Sequence, residues 1–310
     1  MSQVQLSDPK VVSEIVAGLL AERPSISPKF FYDEIGSHLF EAITFLEEYY
    51  PTRTEKMIML ECGEAIVSAI GRCDVLLDLG AGNCQKGSAL FDSLKPEEYR
   101  ALDISKEFLE KAIFSLQKEY PQIRMQAQTC DLQEELSFPD LVDRKKVFFY
   151  PGSSIGNFDP EAALSLFENI VHVCAGNGGL LIGVDLVKDR EVLSRAYNDS
   201  LGITAAFNKN ILLHLNRLLS ANFDLKHWEH YAIFNEQLAR IEMYIRATQQ
   251  QLVTWPGGQK QFHVGDLIHT ENSYKYTRET FEALLMRAGF KSVDLWTDPK
   301  HYFVVAYAAA

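Results

Sequence analysis

Three aspartates stand at or near the ends of three apolar runs. In "LLDLGAGN" Asp78 precedes Gly80-Ala81-Gly82, "YRALDI" closes on Asp103, 23 residues after Gly80, and "QTCDL" carries Asp131. Glycines after a strand let a nucleotide-containing ligand approach the backbone, and an acid at the end of the next strand accepts hydrogen bonds from ribose hydroxyls. Asp131 then falls near an adenine. A tight strand-to-helix turn would account for Gly80 and Gly82 alone, but not for three acids in register.

Two ligands compete for such a site. A dinucleotide requires a third glycine, where "GAGNCQKG" has Gln85 and no basic cluster follows to hold a pyrophosphate. S-adenosylmethionine has no phosphate and carries a sulfonium cation, which the acidic set suits better. Cys84 reads as a small filler of this turn.

Other polar groups are grouped by spacing. "PGSSIGNFDP" (151–160) follows the apolar run "KVFFY" and offers two serines, exposed backbone and the amide of Asn157. Asp159 with Pro160 suits a helix N-terminus, so Asn157 is not needed as a cap. In "TENSYKY" Glu271 and Ser273 are two apart, hence on one face of a strand. His227 and His230 in "KHWEH" stand at helical i, i+3 spacing without an HExxH frame, and no metal site is expected there.

The elements that carry these residues include strands expected at 75–80, 99–104, 124–132, 146–150 and 178–187. Helices are expected at about 54–70, from residue 86, at 106–120 and at 160–174. Strands alternating with helices of this length predict a parallel sheet covered on both faces. For some ninety residues the alternation lapses: helical "DREVLSRAYN" and "TAAFNKNILLHLNRLLSANF", then strand-like "RIEMYIRA", "QQLVTW", "KQFHVG" and "LIHTENSYKY". A helix at 277–290 and an antiparallel pair, "SVDLWTDP" and "YFVVAYA", resume it. The expected fold class is α/β, a doubly wound Rossmann-like sheet with an inserted α+β substrate-binding domain completed by the N-terminal segment. The expected domains are 1–53 plus 188–275, and 54–187 plus 276–310.

Composition narrows the partners. The chain has 310 residues, 47% hydrophobic and 23% charged, with a net charge of −12, which disfavours nucleic acid or an anionic membrane. No apolar run approaches the roughly 20 residues of a membrane span, and the first residues lack the pattern of a secretory leader. Five scattered cysteines suit free thiols in a reducing compartment. A cytoplasmic monomer acting on a small molecule is the expectation.

"FFYDEIGSHLFEAIT", "EYYPTRTE", "LGAGNCQK", "PGSSIGNFDP", "LVKD", "RAYND", "GITAAFNKN" and "RIEM" together resemble the histidine-specific N-methyltransferases of ergothioneine biosynthesis. The likeness runs from about residue 28 to the C-terminal hairpin. It implies a class I methyltransferase fold, S-adenosylmethionine as cofactor without a metal, and trimethylation of the α-amino group of L-histidine to hercynine. By this resemblance Gly80, Lys86, Asp103, Asp131 and Leu132 hold the cofactor. Asn157 and Tyr197 take the amino acid's carboxylate, and Tyr32 and Tyr49 lie near its amine and imidazole; because the amine must be neutral to attack, the site is expected either to lower its pKa or to pass its proton to water through Tyr32. Glu271 and Ser273 hydrogen-bond the imidazole, with Met243 packed near it. Ser154 stands where threonine is expected, and Asn83-Cys84 replace small hydroxyl residues. Alternatives are a relative methylating a tryptophan-type amino acid, a non-catalytic amino-acid sensor, and a dinucleotide-dependent oxidoreductase.

Overall fold

The computed structural model describes residues 8–104 and 106–310. These form two compact units. A sheet unit comprises Pro51–Lys188 and Tyr274–Ala310, and an inserted unit comprises the chain up to Tyr50 and Asp189–Ser273.

The sheet unit begins with β1 (Val75–Leu79), β2 (Glu98–Asp103), β3 (Arg124–Thr129), β4 (Lys146–Tyr150) and β5 (Gly178–Asp185). The inserted unit contributes β6 (Trp228–Asn235), β7 (Arg240–Ala247), β8 (Gln251–Trp255), β9 (Gly258–Phe262) and β10 (Leu267–Tyr274, its last residue in the sheet unit), after which β11 (Ser292–Thr297) and β12 (Phe303–Ala309) complete the sheet. The seven-stranded order is β11-β12-β5-β4-β1-β2-β3. β1 to β5 run parallel, and β12 lies antiparallel to both β5 and β11.

β1, β4 and β5 are buried along their whole length, as strands covered on both faces must be. Leu77, Phe148 and Leu180 pack on one side with Phe167 and Phe281. Leu76, Val147 and Leu181 pack on the other with Ile58, Ile70 and Val305. The order in which strands are added reverses between β1 and β4, with β2 and β3 to one side and β4 and β5 to the other, and ligands of open parallel sheets bind at the carboxyl ends beside such a switch point. There the pairing of Asp78 with Phe149 sets the glycine turn and the 151–160 segment at the same edge.

Helix Pro160–Cys174 starts as expected: Asp159 Oδ1 accepts the amides of Glu161 and Ala162, with Pro160 in the first turn. Two helical expectations are corrected. Residues 54–70 form two helices, Tyr50–Glu61 and Gly63–Ile70, parted at Cys62. After the glycine turn there are only single turns, Gln85–Ser88 and Phe91–Leu94.

In the inserted unit β6 pairs with β7 antiparallel within a β10-β7-β6 sheet, and β8 with β9 forms a hairpin. Helix Ile203–Leu219 packs on β6 and on helix Glu34–Thr44. The N-terminal segment is stitched to β10, with Ile26 N–H donating to the His269 carbonyl and His269 N–H to that of Pro24, both at 2.8 Å.

Candidate functional site

The residues singled out in the sequence fall into two sets, one in each unit. In the sheet unit, β1 ends in a turn with Gly80 at φ +66° and Gly82 at φ +53°, the left-handed region that glycine enters without steric cost. The Gly82 amide donates to Asp103 Oδ2 at 3.0 Å, so the end of β2 is fixed against the turn. A Cβ on Gly82 would meet nothing within 4 Å, leaving its backbone open to a ligand. Asp131 and Leu132 follow β3, half-buried, with Asp131 Oδ1 accepting the Gln133 amide at 3.0 Å. Asp131 therefore sits in a turn two residues beyond its strand.

Asp78 is a different group from Asp103. It is 1% exposed, and its Oδ2 accepts the Tyr99 hydroxyl at 2.6 Å, while Oδ1 has no partner. Burial raises its pKa to about 7, against the lowering effect of Tyr99 and Lys86. Asp78 is thus a buried strut, not the surface counter-charge that its position before the glycines suggested. Gly87 is required by this strut, since a Cβ there would collide with the Asp78 carboxylate and lie 2.8 Å from the Tyr99 hydroxyl oxygen. Cys84 is buried, and its thiol is pushed up to about 12, mainly by burial, which suits a filler.

Sequence reasoning passed over Glu55. Its side chain is 6% exposed; Lys86 Nζ donates to Oε2 at 2.6 Å and the Gly152 amide to Oε1 at 2.7 Å. The carboxylate therefore joins helix Tyr50–Glu61, the turn after β1 and the loop after β4. That loop is held in an uncommon conformation, with Gly152 at φ +80° and Ser153 at φ +61°. Ser153 N–H donates to the Gly183 carbonyl, and its Oγ accepts the Asp185 amide at 2.9 Å. Asn157 closes the short helical turn Ser154–Asn157, half-buried. Two glycines given no role in the sequence, Gly87 and Gly183, were the available signal for these buried carboxylates.

In the inserted unit the predicted aromatics form one connected patch. Tyr32 lies edge-on to Phe40 and Phe207, Phe40 contacts Tyr49 at 6.3 Å between centroids, and Tyr49 contacts Tyr197 at 6.5 Å. Such edge-to-face pairs hold rings in fixed orientations. The Tyr197 hydroxyl donates to Ser273 Oγ at 2.8 Å. Glu271, on the same strand as Ser273, is 8% exposed, and Met243 on β7 is 2% exposed. The side chain between them in sequence, Thr270, hydrogen-bonds toward the Met243 carbonyl at 3.1 Å, which ties β10 to β7 at this point.

His230 is not on a helix with His227; it lies in β6 after a short turn ending at His227. Asn208 Nδ2 donates to its Nδ1 and its Nε2 donates to the Tyr197 carbonyl, both at 2.8 Å. Burial lowers its pKa, in keeping with a neutral ring that both accepts and donates. It is a support for Tyr197, and among the described residues no group of three or more ligating side chains is placed to hold a metal. No described helix is long and apolar enough to cross a membrane.

The donor residues fit S-adenosylmethionine on their own chemistry. Asp103 ends β2 beside the glycine turn, an acid of the kind that accepts ribose hydroxyls, the open Gly82 backbone permits close approach, and the turn carries one cation, Lys86, where a pyrophosphate calls for more. With the β11–β12 antiparallel edge on a parallel sheet, these features define a class I S-adenosylmethionine-dependent methyltransferase. The chain belongs to the histidine-specific, SAM-dependent methyltransferase family, whose profile matches residues 11–310. It is 39% identical over 301 residues to a histidine N-alpha-methyltransferase of Mycolicibacterium smegmatis, covering 95% of this chain and 93% of that one. A histidine N-alpha-methyltransferase of Mycobacterium tuberculosis is 35% identical, covering 96% and 94%. Ergothioneine biosynthesis protein 1 of Neurospora crassa is 31% identical over 90% of this chain and 33% of its own length.

Proposed function

We propose that this enzyme transfers three methyl groups in succession to the α-amino nitrogen of L-histidine, giving hercynine for ergothioneine synthesis, as a cytoplasmic monomer. The observation that carries the substrate assignment is the Tyr197–Ser273 hydrogen bond at 2.8 Å beside the buried carboxylate of Glu271. A neutral imidazole has one donor and one acceptor nitrogen, which a carboxylate and a hydroxyl can both satisfy. An indole offers a donor only and would leave part of this polar pair unmatched, at a cost of about 1–3 kcal/mol.

When bound, S-adenosylmethionine supplies an electrophilic methyl carbon on a sulfonium. The chain's residues have the remaining tasks. Gly80, Lys86, Asp103, Asp131 and Leu132 are assigned to holding the cofactor, and Asn157 and Tyr197 to the amino acid's carboxylate. Glu271, Ser273 and Met243 surround its ring. Tyr32 and Tyr49 are assigned to the amine and imidazole, and fixed orientation of the amine lone pair supplies much of the rate. The attacking amine must be neutral, and Tyr32 passes its proton to water. As methyl groups accumulate the nitrogen becomes a permanent cation, which tyrosine faces accommodate.

The test is incubation with S-adenosylmethionine and an equimolar mixture of the twenty amino acids, each followed by mass spectrometry. Histidine alone should gain three methyl groups. Methylation of tryptophan or tyrosine instead would overturn the Glu271–Ser273 assignment.

A further inference from the structure

Lys86 is the one cation in the glycine turn, and S-adenosylmethionine has a single anionic group, the carboxylate of its methionyl end. Lys86 is not free to search for that group. Its ammonium sits 2.6 Å from Glu55 Oε2, while the side chain as a whole remains 42% exposed. An ammonium has three donors, so one bond to Glu55 leaves capacity for a ligand.

Glu55 itself has nowhere to go. Its other oxygen takes the Gly152 amide at 2.7 Å. It lies against β5 where the side chain has been deleted, for a Cβ on Gly183 would collide with Oε1. A Cβ on Gly152 would lie 3.1 Å from Lys86 Nζ, so the loop after β4 also crowds the pair. Two glycines from different strands' ends are thus shaped around one ion pair. A carboxylate that only neutralised Lys86 until a ligand displaced it would not need to be clamped by a backbone amide and a strand.

We infer that Glu55 is a positioning residue that aims Lys86 at the carboxylate end of the methyl donor and stays in place when the donor binds. The inference rests on the assignment of Lys86 to the cofactor. Without Glu55 the lysine's four-carbon chain samples many rotamers, and binding must order it.

The experiment is a double-mutant cycle on the full chain, reading the Kd of S-adenosylhomocysteine by calorimetry for Glu55→Gln, Lys86→Met and the pair. Glu55→Gln should weaken binding about 10-fold or more, the range expected for loss of a hydrogen bond to a charged group. The double variant should bind no more weakly than Lys86→Met, because Glu55 acts through Lys86. A general loss of stability would not produce that coupling. Unchanged or tighter binding by Glu55→Gln, or an additive loss in the double variant, would overturn the inference. If Lys86→Met alone binds like wild type, the Lys86 assignment fails first, a result distinguishable from failure of Glu55 alone. Should Glu55→Gln not fold, Glu55→Asp keeps the charge but shortens the reach. It should also lose affinity, and wild-type affinity there would refute the role.

Discussion

Replacement of Asp78 by asparagine tests the electrostatics of the donor turn most directly. The carboxyl is buried, receives one hydroxyl from Tyr99, and its pKa rises from 3.8 to about 7, mainly through burial. Between about pH 4 and 7 the native protein therefore holds a proton that the unfolded chain has lost. Stability contributed by this group is present at low pH and is lost as pH rises through that window, levelling off above about 7. Each tenfold change in proton affinity is worth about 1.4 kcal/mol, so the whole effect is about 4 kcal/mol, with about 3 kcal/mol of it between pH 5 and 8. Asparagine keeps the shape and the acceptor for Tyr99 but does not titrate, and its amide occupies the place of Oδ1, which has no partner. Relative to wild type, Asp78→Asn should be neutral or less stable at pH 5 and more stable at pH 8. Urea unfolding followed by circular dichroism at half-unit pH steps would measure the difference between the two curves. Parallel curves for the two proteins across pH 5 to 8 would refute a buried, proton-holding Asp78.

Other outcomes follow from the same geometry. Glu271→Ala should abolish turnover selectively for histidine in competition assays, whereas Asn157→Ala should weaken binding of any α-amino acid; unchanged histidine turnover in Glu271→Ala would remove the imidazole assignment. Asp185 is buried between Lys188 Nζ at 2.5 Å and Lys275 Nζ at 2.9 Å, and Asp185→Asn should cost about 3–5 kcal/mol in chemical denaturation by removing the negative charge that both buried ammonium groups face. His230 has its pKa lowered from 6.5 by burial, so below about 6.5 the unfolded chain binds the extra proton and stability falls with pH. His230→Gln should flatten that acid limb and raise the KM for histidine through loss of support to Tyr197.

Much of this fold is legible where burial is uniform. β4, β7 and helix Pro160–Cys174 lie at the residues expected from the sequence, because an apolar run between turn residues, or an Asp-Pro cap, is a local signal. β6 was not legible: its residues are mostly half-buried, so no clean alternation exists, and "KHWEH" was given a helical spacing. The helix expected from residue 86 is instead two single turns broken at Ala89 and Leu90, a break that the apolar pattern does not report. In the inserted unit the aromatic patch joining Tyr32, Tyr49 and Tyr197 assembles residues singled out through family resemblance, not through spacing. Glu55 was missed because its partners are 31 and 97 residues away in sequence.

Three of the buried carboxylates of the sheet unit, Asp185, Asp78 and Glu55, show why residue type alone does not assign a charge. Asp185 faces two ammonium groups, which outweigh the raising effect of burial and hold its pKa below 3.8. Asp78 receives a single neutral hydroxyl, and burial wins. Glu55 receives an ammonium and a backbone amide and links Lys86 to the loop after β4. The number and charge of donors, set by tertiary packing, decide which acid is an anion and which a proton-holding strut. In the donor turn the half-exposed Asp103, anchored by Gly82, is therefore the acid we propose to meet a ligand's hydroxyls, rather than the more deeply placed Asp78. Substitution of Asp103 by asparagine should weaken S-adenosylhomocysteine binding at all pH values, while Asp78→Asn should alter stability before it alters affinity. Equal effects of the two on ligand binding, measured on folded protein at pH 8, would mean that depth does not separate their roles.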